Sequence, residues 1–362
     1  MKGNSDLGII PKDRLRRIPE PLRVLHEAAF FFHDLAVSAL KEYDRPDLRS
    51  VAFKSKALAA IPPEELKAMD GIDLLRRIGR DADARNLMIN ECVLALISDG
   101  LQFVCEALFS YEKGKIAVSL NLLRKPMKEN LLYLEWIIGN DKEFFQAFSS
   151  LDRLEMNIGR IRPEKRKAII HDAITRLACL GPYSADALYS LRYDKSNAAM
   201  EPLWHKAAHL VTTQNANFTT EPENFNMIFA SEDVRQDIYG TIGKWYLFLV
   251  MYFYSISITA LERLHPLHAG TIFYNDMCSM VATTLVTGED SALNSIIGEL
   301  TEFTNQHLPC PRCGKNLSVT DEDVACSFFS RTLTCSACKS EIEFDLYELM
   351  QLEKRHSDLN IS

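Results

Sequence analysis

The chain has 362 residues, 47% of them apolar and 25% charged, with a formal net charge of −8 at pH 7. That balance belongs to a globular protein large enough to bury a core without disulfides. It excludes whole-surface attraction to nucleic acid phosphates, though a local basic patch escapes that argument.

Helical periodicity runs from the start to about residue 305. The opening stretch, MKGNSDLGIIPKDRLRRIPEPLRVL, has no apolar core followed by a small-residue cleavage site, so the cytoplasm is the expected compartment. Apolar residues at i, i+3, i+4 and i+7 mark a helix over residues 21–43, PLRVLHEAAFFFHDLAVSALKEY. A short helix over Asp73 to Arg80 precedes a longer one over residues 84–114. Residues 117–139 read as one helix kinked at Pro126 or as two, because proline removes an i to i−4 bond. Pro163 marks another helix start, in a segment that closes near Gly181, and residues 186–211 continue the helical pattern. The Asn- and Thr-rich stretch 212–226 reads as an internal loop.

Trp245 to Leu261, WYLFLVMYFYSISITAL, is uncharged for 17 residues, the bottom of the membrane-spanning range. Its tyrosines recur through the middle, and Ser255, Ser257 and Thr259 dilute it. The expectation is a central buried helix capped by Ser231, with no membrane partner. A last helix is expected from Asp290-Ser291 through ALNSIIGELTEF.

The pattern changes at NQHLPCPRCG. NLSVT, SFFSRTLTC and EIEFDLYEL carry β-branched and aromatic residues with period-two alternation. The expected fold is mainly α: a large helical domain (1–305), a small β-rich module (306–346) and a tail (347–362).

Within that module, Cys310-Pro-Arg-Cys313 and Cys335-Ser-Ala-Cys338 each present two thiolates from one tight turn, and 21 residues separate them. Gly314 supplies the positive φ such a turn favours, whereas Lys339 stands at the matching place in the second pair. A thioredoxin-type redox motif would sit at a strand-to-helix junction of an α/β domain, and nothing like that surrounds either pair. The segment resembles the zinc-ribbon superfamily: two knuckles, a β-hairpin between them and a closing strand. The resemblance covers about 40 residues and implies a structural Zn2+ held by Cys310, Cys313, Cys335 and Cys338, with no position open to water. Cys326, alternating with Val324 and Phe328, is expected as a core thiol on a strand. The module's four basic residues are outnumbered by six acidic ones, which favours a protein partner, or the chain's own helical domain, over nucleic acid.

Four weaker patterns carry chemistry. RLHPLH, Arg263 to His268, has the Arg-x4-His spacing that resembles the signature of the HEPN superfamily, helical domains that often dimerise. That resemblance implies a metal-independent ribonuclease or toxin-type effector in which Arg263 holds the phosphate and His268 moves the proton. Leu264 and Pro266 depart from the pattern, and a helix C-terminus whose Arg and His complement the dipole is the competing reading. His205 and His209 share a helical face, but Lys206 stands where a zinc protease has glutamate. His33-Asp34 and His171-Asp172 match a dipeptide used by metal-dependent phosphohydrolases. The basic run 160–167, RIRPEKRK, reads as a solvated helix start or a nucleic-acid contact. Taken together, the sequence favours a zinc-binding, non-enzymatic binding or regulatory protein, with homodimerisation left open.

Overall fold

The computed structural model describes residues 7–43, 61–150, 156–178, 181–196, 198–213, 219–227, 231–264, 266, 269–287 and 291–343. The fold is mainly α, with one small antiparallel sheet near its C-terminal end. In chain order the helices are α1 (Lys12–Leu15), α2 (Glu20–Tyr43), α3 (Pro63–Ala68), α4 (Gly71–Arg77), α5 (Asp81–Glu112), α6 (Ile116–Lys125) and α7 (Leu131–Ser149). They continue as α8 (Pro163–Ile174), α9 (Ala185–Tyr193), α10 (Met200–Ala208), α11 (Glu232–Glu262), α12 (Ala269–Thr287), α13 (Ser291–His307) and α14 (Asp321–Ser330). Strands β1 (Thr332–Thr334) and β2 (Glu341–Glu343) follow.

Helix α11 is the axis of the core. It lies chiefly along α2 and also touches α5, α7 and α12. Among the described residues, two helices are long and apolar enough to cross a membrane, Asp81–Glu112 and Asp233–Glu262, but 89% of the apolar window of the second is buried inside the protein. The hydroxyls that dilute this helix are satisfied within it: Ser255, Ser257 and Thr259 donate to the carbonyls of Met251, Phe253 and Ser255. Ser231 caps it as expected, accepting from the Val234 N–H.

Pro126 neither breaks the rod nor leaves a simple bend. A π-turn over Pro126–Asn130 joins α6 to α7, with the Leu131 N–H reaching back to the Pro126 carbonyl. Carbonyls turned aside by this turn find buried donors. Arg192 Nε donates to Met127 O at 2.7 Å, and the Tyr193 hydroxyl to Lys128 O at 3.1 Å. The Arg192 guanidinium also meets Glu135 at 2.5 Å, both side chains fully buried.

A second irregularity lies inside α7 at Asn140 (φ −155°, ψ 83°). Its side chain caps the following turn through the Glu143 N–H, while Arg176 and Arg263 donate to the orphaned carbonyls of Ile138 and Ile137.

The helical pattern expected over residues 186–211 is carried by two helices, α9 and α10. Two local expectations need correction. Helix α8 ends at Ile174, short of Gly181. Residues 324–330, expected on a strand, lie in helix α14. Its cause is local: Thr320 and Asp323 form a reciprocal capping box, and Asp321, Glu322 and Asp323 complement the helix dipole.

Candidate metal centre

Each cysteine pair sits in the same backbone turn. In the first, the Gly314 N–H donates to the Cys310 carbonyl at 2.8 Å and the Cys310 N–H to the Lys315 carbonyl at 2.8 Å. In the second, the Lys339 N–H donates to Cys335 O at 2.9 Å and the Cys335 N–H to Ser340 O at 3.0 Å. The fifth residue of each turn has positive φ: Gly314 at 71° and Lys339 at 59°. Lys339 therefore adopts the conformation that glycine takes without a steric penalty in the first knuckle.

Short antiparallel pairs close both turns. A bridge between Pro309 and Asn316 flanks the first, and β1 pairs with β2 around the second, Thr332 opposite Glu343 and Thr334 opposite Glu341. Between the knuckles lie helix α14 and strand β1, where the zinc-ribbon resemblance implied a hairpin. Cys326 accordingly lies on a helix, is only partly buried and stands outside the cysteine cluster.

The four ligand atoms converge. Sγ of Cys310, Cys313, Cys335 and Cys338 all lie within 4.8 Å of one another, with Cys310 to Cys338 at 3.7 Å and Cys313 to Cys335 at 3.8 Å. A tetrahedron of thiolates bound at about 2.3 Å has edges of about 3.8 Å, whereas a disulfide would hold two sulfurs at about 2.0 Å. The spacing fits a metal ion. Four sulfurs occupy all four positions, so the site is closed.

The backbone prepares the charge. N–H groups of Cys313 and Arg312, aided by the Ser340 hydroxyl, favour the Cys310 thiolate and lower its pKa to about 6. At Cys313 the Lys315 N–H favours thiolate, but burial and the neighbouring sulfurs outweigh it and push the thiol up to about 11. Ser340, 2.8 Å from Cys338 Sγ, lowers the Cys338 pKa. A metal that binds here displaces the remaining protons.

Helix α14 fastens the module to the helical body. Phe329 packs edge-on to Phe31 of α2 at 5.0 Å between ring centres. The Tyr274 hydroxyl of α12 donates to the Phe328 carbonyl at 2.7 Å, and the Arg331 guanidinium lies over the Tyr274 ring. Asn305 of α13 exchanges two hydrogen bonds with the Val319 backbone.

Of the other candidate residues that are described, Arg263, His205 and His33 each have local partners of their own. Arg263 ends α11, where it pairs with Asp141 at 2.9 Å and donates to the Ile137 carbonyl; His268 lies outside the described residues. His205 bonds Glu201 at 3.2 Å and stacks on His209. His33 bonds Asp34 at 2.8 Å, while His171 and Asp172 are exposed on α8. Among the described residues, only the four cysteines gather three or more metal-ligating side chains. In the basic run, Lys165 pairs with Glu143 and lies over Trp136, and Lys167 pairs with Asp186, while Arg160 and Arg162 are exposed.

A second buried polar group joins α2 and α5. His26 of α2 bonds Glu112 of α5 at 3.1 Å, and Arg14 grips the same carboxylate at 2.9 and 2.6 Å. Burial lowers the His26 pKa, so the neutral ring donates through Nε2 and leaves Nδ1 without a partner. No local pattern marks this group, since Arg14 and Glu112 lie 98 positions apart.

The chain matches no protein-family model, no curated protein and no solved structure.

Proposed function

We propose that Cys310, Cys313, Cys335 and Cys338 hold one structural Zn2+, as the zinc-ribbon resemblance implies. The metal locks the C-terminal module onto its own helical body, which serves as a non-enzymatic scaffold for a protein partner. The observation that carries this reading is the set of four sulfurs at tetrahedral spacing, joined by a helix seated on α2 and α12. A closed tetrathiolate offers no position for water or substrate, so its contribution is folding free energy.

The test is metal analysis of the purified chain combined with hydrogen exchange. One zinc per chain is expected, lost in Cys313→Ser together with thermal stability. Chelation should raise exchange in residues 308–343 and also in α2 and α12. A chain without metal, or a Cys313→Ser variant as stable as its parent, overturns the metal assignment. Exchange that rises in the module alone overturns the bracing role.

A further inference from the structure

The whole chain is acidic, yet one face is not. The turn between α5 and α6 and the short helix α1 enclose a cleft of about 720 Å3 lined by Arg14, Arg16, Arg17, Lys113 and Lys115. A second depression of about 320 Å3 shares Arg16 and Arg17 and adds Arg235 at the start of α11. The acids on these walls are Asp13 and Glu112, and Glu112 is already committed to Arg14 and His26.

Like charges gathered this closely repel one another, so the arrangement costs stability unless an anion joins it. The fold holds two of the arginines in place. Arg14 is bidentate to Glu112 and lies 5.5 and 5.1 Å from the ring centres of Phe30 and Phe109. Arg17 donates to the Lys113 carbonyl at 3.0 Å. Gly114, at φ 72°, makes the turn that sets Lys113 and Lys115 on the rim; a Cβ there would lie 3.6 Å from Arg17 Nη1. Arg16, Lys113 and Lys115 are exposed and have no ion-pair partner among the described residues.

We infer that this cleft binds the phosphate backbone of a single-stranded nucleic acid. Two adjoining seats that share a pair of arginines suit successive phosphates, which favours a strand over one isolated anion. The neutral polar side chains of the cleft are Gln236 and Tyr239, and the Tyr239 hydroxyl already donates to the Tyr111 carbonyl. The walls therefore offer charge with little to read base edges, and binding is independent of sequence. This site is remote in sequence from the cysteines and independent of the metal assignment.

The test uses the full chain and a fluorescently labelled 20-nucleotide strand, as RNA and as DNA of the same sequence, followed by anisotropy from 50 to 300 mM salt. Binding should weaken linearly in log-log form, with a slope of about −0.7 per phosphate neutralised. The triple variant Arg16→Ala/Lys113→Ala/Lys115→Ala should bind at least tenfold more weakly and lower the slope by about 2. Arg160→Ala/Arg162→Ala, on the basic run 160–167, should leave both quantities unchanged. Absence of binding at 50 mM salt, or an equal loss in the Arg160/Arg162 variant, overturns the inference. So does calorimetric binding of inorganic triphosphate without binding of either strand, which would assign the cleft to a small polyphosphate.

Discussion

Replacing Arg192 with methionine tests the buried centre of the helical body. The Arg192–Glu135 pair is fully enclosed, and Glu135 Oε1 accepts from both Arg192 Nη1 and the Tyr252 hydroxyl while Oε2 has no partner. Burial opposes charge on Arg192, but the Glu135 carboxylate outweighs it and raises the guanidinium pKa. Methionine approximates the aliphatic stem and removes the charge. It strands the carboxylate with one hydroxyl donor and leaves the Met127 carbonyl of the π-turn unsatisfied. Breaking one side of a buried pair costs about 3–5 kcal/mol, a large fraction of the 5–15 kcal/mol typical of a domain. Adding Glu135→Gln removes the stranded charge while keeping an acceptor for Tyr252, and should restore about 2 kcal/mol. Urea unfolding followed by circular dichroism gives both quantities by linear extrapolation. A single variant within 1 kcal/mol of the parent, or a double variant no more stable than the single, would refute this account.

Glycine substitutions should split by environment. At Gly100, buried in α5, a Cβ would fall 2.4 Å from the Phe253 ring, so Gly100→Ala should destabilise by about 1–3 kcal/mol despite better helix propensity. Gly240 on α11 meets nothing within 4 Å, and Gly240→Ala should stabilise by about 0.5–1 kcal/mol in the same melts. Lys339→Gly should raise the melting temperature of the zinc-loaded chain, because it relieves a left-handed lysine at a cost of about 1 kcal/mol. Acid should weaken the fold in two stages. His26, its pKa lowered by burial, stays neutral while the unfolded chain gains a proton, so stability falls as pH drops through about 6.5. Burial would raise the Glu112 pKa, but His26 and Arg14 outweigh it and hold it below 4.5, so that contribution persists until pH falls through the lowered value. Urea midpoints against pH should show the first stage in the parent and not in His26→Leu.

What the sequence revealed was local. Ser231 and Pro163 mark helix starts through capping and a fixed φ, and each signal is borne by one or two residues. The cysteine knuckles were legible for the same reason, since two cysteines and their turn lie within six residues. Helix α14 was missed although its sign, Thr320 followed by three acids, was present; alternation in Val324, Cys326 and Phe328 suggested a strand instead. The Arg192–Glu135 pair, the grip of Arg14 on Glu112 and the basic cleft have no such local sign. Their members come from distant segments, and only the packing of α1, α5, α7 and α9 brings them within reach.

The pairing of α2 with α11 also has a consequence during synthesis. Between Tyr43 and Glu232 lie 188 residues, so α2 leaves the ribosome long before the helix that covers it. At about 5–20 residues per second, Phe32 waits on the order of 10–40 s for Tyr254 of α11, and Phe31 waits longer for Phe329, whereas Phe30 meets Phe109 of α5 much sooner. Phe31 and Phe32 are therefore the apolar surface left uncovered longest in the nascent chain, and a stop codon before α11 would remove the partners of both.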